Sequence, residues 1–245
     1  MLKGKAALIT GGATGMGRAI ALRLARAGVD IAINYSRSEK EALETKSDVE
    51  ACEVKAITCM ADVAHDEQVR SMVAKTIETF GRLDILVNCA GMTYFVELPD
   101  LEGLKEEHWD RIMAVNVRGV FQCSRAAAAE LRKRKGCIVN ITSVAGITGM
   151  GSSIAYAASK AAEISVTKSL ARVMAPDVRV NGIAPGIVMT RWVAGKEEHV
   201  KRYAEGTPLG RVADPEDISE VAYAIIADMS FVTGQNIVVD GGAFI

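Results

Sequence analysis

A chain of 245 residues, 49% of them hydrophobic, with a formal net charge of −1, has the composition of an ordinary globular protein. It is long enough for one large α/β domain or two small ones, and its charge balance gives no footprint for nucleic acid or an anionic membrane surface. Five scattered cysteines, odd in number and without C-x-x-C spacing, point to free thiols, and three histidines far apart in sequence argue against a metal site.

The first apolar run, "KAALIT", predicts a strand that ends at Gly11. It is too short for the core of a signal peptide, and no stretch approaches the ~20 apolar residues of a membrane span, so a soluble, cytoplasmic protein is expected. A helix over "GRAIALRLARAG", a strand "DIAINY" and a charged helix from about Glu39 to Ala51 follow. "VKAITCM" leads to a helix from about Asp66 to Phe80, and "LDILVN" to a longer helical region from about Leu104 to Arg134. The basic run Arg132-Lys133-Arg134-Lys135 before Gly136 reads as the last turn of that helix, where cations complement the dipole. "GCIVNIT" precedes the helix that contains "YAASK", and "VRVNGIA" leads into a loop-rich stretch, 185 to 215. A helix from Pro215 to about Asp228 and a strand "QNIVVDGG" finish the pattern. Strands that alternate with helices and read as nearly continuous apolar runs predict an α/β fold, a seven-stranded parallel doubly wound sheet with helices on both faces. No linker or compositional break divides residues 1 to 245, so a single domain is expected.

"ITGGATGMGRAI" joins the first strand to the first helix. Gly11, Gly15 and Gly17, with Thr14 and Met16 between them, make G-x-x-x-G-x-G rather than the common G-x-G-x-x-G. The physics is shared: a tight turn, close backbone approach, and a pyrophosphate at a helix N-terminus. The plain alternative is a glycine-rich turn, but its place at the first βα junction favours nucleotide binding. At the end of the second strand no carboxylate appears before Glu39; Tyr35 takes about the place of the usual Asp, and Ser36 and Arg37 follow. A hydroxyl and a guanidinium suit a 2′-phosphate, so NADP is favoured over NAD, with a merely exposed Arg37 as the alternative.

Further signals fall at strand ends, where ligands bind in open α/β sheets. "NCAG" (88–91) ends the fourth strand, "NITS" (140–143) the fifth and "APG" (184–186) the sixth. Ser143 precedes Tyr156 by thirteen residues, and Tyr156 and Lys160 stand four apart, on one face of a helix. Asn116 interrupts an apolar helical stretch, "MAVNVRG". Each has a dull explanation alone: a cap, a satisfied core amide, a turn.

In this order the motifs TGGATGMG, NCAG, Asn116, Ser143, Tyr156-x-x-x-Lys160 and PG resemble the single-domain short-chain dehydrogenase/reductase family over essentially the whole chain. The resemblance implies a Rossmann fold, a homotetramer, and NAD or NADP as cofactor without a metal. It further implies that Tyr156 is the general acid/base, that Lys160 favours its phenolate and binds the nicotinamide ribose, that Ser143 holds the substrate oxygen, and that Asn116 anchors a relay water. The cofactor would lie along Gly11 to Gly17, Asp62 and Val63 at the adenine, and Asn88, Ala90 and Gly91 at its edge. The Pro185-Gly186 turn, the Val188 backbone and Thr190 would hold the nicotinamide carboxamide. Two positions depart from the family's pattern: Cys89 stands where a second Asn is frequent, and Thr14 where NADP-preferring relatives often carry a basic residue.

Phe95, Ile147, Met150, Ile187, Trp192 and Tyr203 are the pocket-lining candidates, mostly apolar, which suits a small-molecule carbonyl or secondary alcohol. The chain is similar to 3-oxoacyl-(acyl-carrier-protein) reductases; sugar, polyol and hydroxysteroid dehydrogenases are the alternatives within the family. Outside it stand a non-catalytic NAD(P)-binding sensor and a methyl donor-binding protein, both of which leave Tyr156 and Lys160 idle.

Overall fold

The computed structural model describes residues 2–244. Seven strands form one sheet: β1 (Ala6–Thr10), β2 (Asp30–Tyr35), β3 (Ala56–Met60), β4 (Ile85–Asn88), β5 (Cys137–Ile141), β6 (Arg179–Pro185) and β7 (Asn236–Val239). All pairs are parallel, in the order β3-β2-β1-β4-β5-β6-β7. β1, β4 and β5 are buried along their whole length, which is why they read as unbroken apolar runs.

The helices are α1 (Gly15–Ala25), α2 (Glu39–Glu50), α3 (Asp66–Phe80), α4 (Glu106–Met113), α5 (Val120–Arg134), α6 (Ala145–Thr148), α7 (Ile154–Met174), α8 (Glu197–Gly206) and α9 (Pro215–Ala227). Alternate strand residues serve two layers. Ala7, Ile9, Ile31 and Ile33 join the cluster of α1, α2 and α9; Leu8, Ala32, Leu86 and Ile138 join that of α3, α5 and α7. No helix among the described residues is long and apolar enough to cross a membrane.

The expected doubly wound sheet is therefore present, with two local corrections. The helical region expected from Leu104 to Arg134 begins at Glu106 and is broken by a π-helical turn, Ala114–Gly119. Inside that turn the Asn116 side chain bonds both the backbone N–H and C=O of Met92, and Gly119 lies against Val63 where a Cβ would come 2.7 Å from Cγ2. Such tertiary demands override the local i→i+4 ladder. The stretch 185 to 215 contains α8, preceded by a 3₁₀ turn, Arg191–Val193. α8 buries no residue fully; Val200, Tyr203 and Ala204 make a short half-buried stripe on one face, and Glu197 and Glu198 in its first turn complement the dipole.

Leu8 is fully buried in β1, at the middle of the sheet. Leu8→Ala is expected to lower the unfolding free energy by about 3–5 kcal/mol. Urea unfolding at fixed protein concentration should show a lower midpoint with an unchanged slope; an unchanged midpoint would count against this packing.

Candidate active site

β1 lies between β2 and β4, the point where strand order reverses and where open α/β sheets form a crevice. The glycine turn there is pinned by Asn34, whose Oδ1 accepts from Gly11 N at 3.2 Å while Nδ2 donates to Cys59 O and Ala61 O at 3.1 and 2.9 Å. A Cβ on Gly17 would collide with the Gly11 carbonyl oxygen, so only glycine lets α1 start this close to the turn. Thr14, at the N-cap, makes no side-chain capping bond, which leaves the first N–H groups of α1 available. From across the crevice Thr190 Cγ2 approaches to 3.2 Å of where a Gly15 Cβ would lie. Free N–H donors, a positive helix end and a side-chain-free cradle fit a dinucleotide pyrophosphate.

The catalytic candidates gather at the carboxyl ends of β4 and β5. Thr10 Oγ1 accepts from Cys89 N and Ala90 N, both at 3.0 Å, which ties the end of β4 to β1. Asn116 is fully buried; its Oδ1 accepts from Met92 N at 2.9 Å, and its Nδ2 donates to Met92 O and Ser159 Oγ, each at 3.0 Å. Ser159 Oγ in turn donates to Tyr156 O at 2.7 Å. Ser143 ends the β5 segment and accepts from Ala145 N at 3.1 Å. Behind it, a Cβ on Gly146 would sit 2.5 Å from the Lys160 carbonyl carbon, so α6 lies directly on α7. Ser153 caps α7 by accepting from Tyr156 N at 3.2 Å.

Lys160 Nζ lies 5.9 Å from the Tyr156 ring centroid and donates to Ile141 O and Glu163 Oε2, each at 2.7 Å. Gly91 faces both Asn116 and Lys160: a Cβ there would lie 3.6 Å from Oδ1 and 3.8 Å from Nζ. Burial works against the Lys160 ammonium, but the Glu163 carboxylate and Tyr156 hold it above the ordinary lysine range. Burial pushes the Glu163 carboxyl up to about 7 against the pull of Lys160. The Cys89 thiol is pushed up to about 12, also by burial.

The remaining expected residues are placed unevenly. Ser36 and Arg37 are exposed at the end of β2, whereas Tyr35 is buried with its hydroxyl donating to Glu39 Oε1 at 3.3 Å. Asp62 accepts from Ala64 N at 3.0 Å and Arg111 Nη2 at 2.6 Å. Burial opposes its ionisation, but those two donors hold its carboxyl below the usual range. Val63 is buried, and its carbonyl accepts from Gln122 Nε2 at 2.7 Å. Asn88 is buried and donates to Ser124 Oγ and Asn140 Oδ1 at 3.2 and 2.9 Å. Pro185 ends β6, and Gly186 N donates to Val239 O at 3.0 Å. Val188 is buried and bridges Ala213, and Thr190 Oγ1 accepts from Trp192 N at 3.4 Å. Phe95, Ile147, Met150 and Trp192 are exposed, and Trp192 meets Tyr156 edge-on with centroids 6.0 Å apart. Tyr203 is different: its hydroxyl is buried and its ring packs on Phe244, so it supports the loop after β6.

Three participants escape a reading of the sequence. Arg191 Nη1 donates to Ser38 Oγ at 3.1 Å, which brings a second guanidinium to the end of β2 from 153 residues away. Lys196 Nζ stacks 3.1 Å over the Phe95 ring, joining the approach to α8 to the loop after β4. Neither contact has a local sequence signal. Glu163 does have one, since it stands three residues after Lys160 on the same helix face. No group of three or more His, Cys, Asp or Glu residues that could hold a metal ion occurs among the described residues.

The family model described as enoyl-(acyl carrier protein) reductase matches residues 11–243. The 3-oxoacyl-(acyl-carrier-protein) reductase FabG of Staphylococcus aureus is 36% identical over 244 residues, which cover 98% of each chain. A Streptomyces violaceoruber protein named as a ketoacyl reductase of the granaticin polyketide synthase is 37% identical, covering 97% of this chain and 95% of its own. A Burkholderia xenovorans structure described as a short-chain dehydrogenase/reductase superposes with a TM-score of 0.93 at 36% identity, covering 98% of this chain and 97% of that one. The chain belongs to the short-chain dehydrogenase/reductase family of NAD(P)-dependent oxidoreductases.

Proposed function

We propose that the chain reduces a 3-oxoacyl carbonyl to the secondary alcohol with NADPH. The observation that carries the reading is the convergence of Asn116 and Lys160 on Gly91, beside a glycine-loop crevice, with Tyr156 one helical turn from Lys160 and Ser143 bonded to the start of α6, which lies on α7. A bound reduced nicotinamide supplies a hydride to the carbonyl carbon. Tyr156 gives its phenolic proton to the carbonyl oxygen, and the Ser143 hydroxyl donates to that same oxygen. A free phenol ionises near pH 10, so the phenolate left on Tyr156 needs the adjacent Lys160 charge. Of the three ammonium donors, two go to Ile141 O and Glu163, and the third is left for the nicotinamide ribose. The Asn116 side chain is engaged by Met92 and Ser159, so any relay water it anchors is held through the backbone of the π turn.

The substrate class rests on the printed activities of the relatives and on the apolar rim of Phe95, Ile147, Met150 and Trp192, which suits an acyl chain. The NADP preference rests on exposed Ser36 and Arg37, on Arg191 bonded to Ser38, and on Glu39 being engaged by Tyr35. A homotetramer is supported by exposed apolar side chains on outer elements: Phe121 on α5, Val173 on α7 and Val238 on the edge strand β7. Five free thiols suit a reducing cytoplasm.

Oxidation of NADPH followed at 340 nm should be supported by acetoacetyl-CoA as a soluble 3-oxoacyl thioester, in preference to sugars, polyols and hydroxysteroids. Tyr156→Phe should lower kcat by about 10²–10⁴-fold; full activity would sink the acid/base assignment. Arg37→Glu should lower kcat/KM for NADPH about tenfold or more, with little change for NADH; equal losses for both would remove Arg37 from the 2′-phosphate site. Light scattering should give the mass of four 26.1 kDa chains, and a monomer would contradict the assembly.

A further inference from the structure

Glu163 is a buried carboxylate that the proposed chemistry does not use. It lies one helical turn beyond Lys160, 1% exposed, and its Oε2 is 2.7 Å from Nζ. A surface ion pair at this spacing would be ordinary decoration, but a carboxylate stripped of water beside a catalytic ammonium is not. Its place is built from several sides. Its backbone carbonyl accepts from Thr167 Oγ1 at 2.9 Å; Thr167 accepts from Asn140 Nδ2 at 2.8 Å, and Asn140 from Asn88 at 2.9 Å. This chain fixes the turn of α7 that carries Glu163 against the inner strands β4 and β5.

We infer that Glu163 is a positioning residue for Lys160: it anchors the ammonium together with Ile141 O and sets the net charge that Tyr156 experiences. This rests on the reading of Tyr156 as the acid/base. The argument is one of donor count and charge. With two N–H groups committed to Glu163 and Ile141, the rotation of the ammonium is arrested and its remaining donor has one direction. With Glu163 ionised, Tyr156 faces a neutral pair instead of a lone cation, so the phenolate is less favoured than Lys160 alone would make it. The other ionisable group facing the pair is Cys89, just past β4, a half-buried residue whose thiol is pushed up to about 12 by desolvation, so that it is neutral. β5 contributes only the Ile141 carbonyl and the Asn140 amide. Among the described residues, Lys160 is the charge that acts on Glu163.

Removing an anion from a coupled set makes every remaining proton easier to lose, whichever group releases it. Seven residues of helix separate Tyr156 from Glu163, about 10 Å of rise, where a unit charge is worth about one pH unit at an effective dielectric near 20. Glu163→Gln keeps the shape and an acceptor for Lys160 but deletes the charge. The ascending limb of kcat/KM for oxidation of the 3-hydroxyacyl product should move to lower pH by about one unit. A second readout needs no turnover: the phenolate absorbance of Tyr156, taken as the difference between each background and its Tyr156→Phe derivative, should move in the same direction. Glu163→Leu removes the anchor as well, and should also raise KM for the cofactor several-fold; if it does not fold, Glu163→Gln carries the test. Coincident pH profiles and coincident phenolate titrations for Glu163→Gln and the parent would overturn the inference, even if thermal stability fell. If Tyr156→Phe stays active, the acid/base reading fails, while the phenolate titration still decides the role of Glu163.

Discussion

Lys160 is 4% exposed, and a charge withdrawn from water to that depth persists only where it is paired. Its partners come from two elements, the last carbonyl of β5 and a carboxylate one turn along α7. Lys160 therefore ties α7 to the end of β5, and α6 can lie directly on α7 because Gly146 presents no side chain to the Lys160 backbone. Ser143 stands two residues past β5, and Tyr156 one turn before Lys160 on α7. Breaking such a pair by removing one partner leaves an uncompensated buried charge, at a cost of about 3–5 kcal/mol. The arrangement is thus held by the penalty for its disruption more than by the attraction itself.

Behind the ammonium runs a set of buried amides and hydroxyls that bond one another, with Asn88 Oδ1 left without a partner among the described residues. Asn34, Asn88, Asn116 and Asn140 are at most 2% exposed, and each bridges elements far apart in sequence. Asn34 spans the glycine turn and β3, Asn116 the loop after β4 and α7, and Asn140 β4 and α7. They give the strand ends fixed positions, which an apolar core of the same volume would not define as closely. The crevice is shaped by amides, and the layers above and below the sheet are held by apolar burial.

The segment after β6 follows other rules. The segment from Gly186 to Val212 touches the core through few residues, chiefly Val188, Thr207 and Val212, and α8 has none fully buried. It is tied down by contacts that can open: the Arg191–Ser38 bond, the edge contact of Trp192 with Tyr156, and Lys196 over Phe95. Segments with little buried apolar area open locally at low free energy.

Read alone, the residues determine the strands, the helices of both layers, the glycine turn and the Tyr156–Lys160 face. Each of these is a local pattern: a run, a period, or a fixed spacing between neighbours in one element. α8 stayed hidden because its apolar set, Val200, Tyr203 and Ala204, spans little more than one turn, and the π turn because its cause is the Met92 backbone 24 residues from Asn116. Tertiary structure alone decided that Tyr35 turns inward to Glu39, that Asp62 is engaged by Arg111, and that Arg191 reaches Ser38. It also decided that Glu163, visible as a charge near Lys160, is buried with it and not on a solvated face. The physical reason is common to all of them. Sequence spacing fixes distances within an element, whereas burial and ion-pair geometry depend on how separate elements pack against one another.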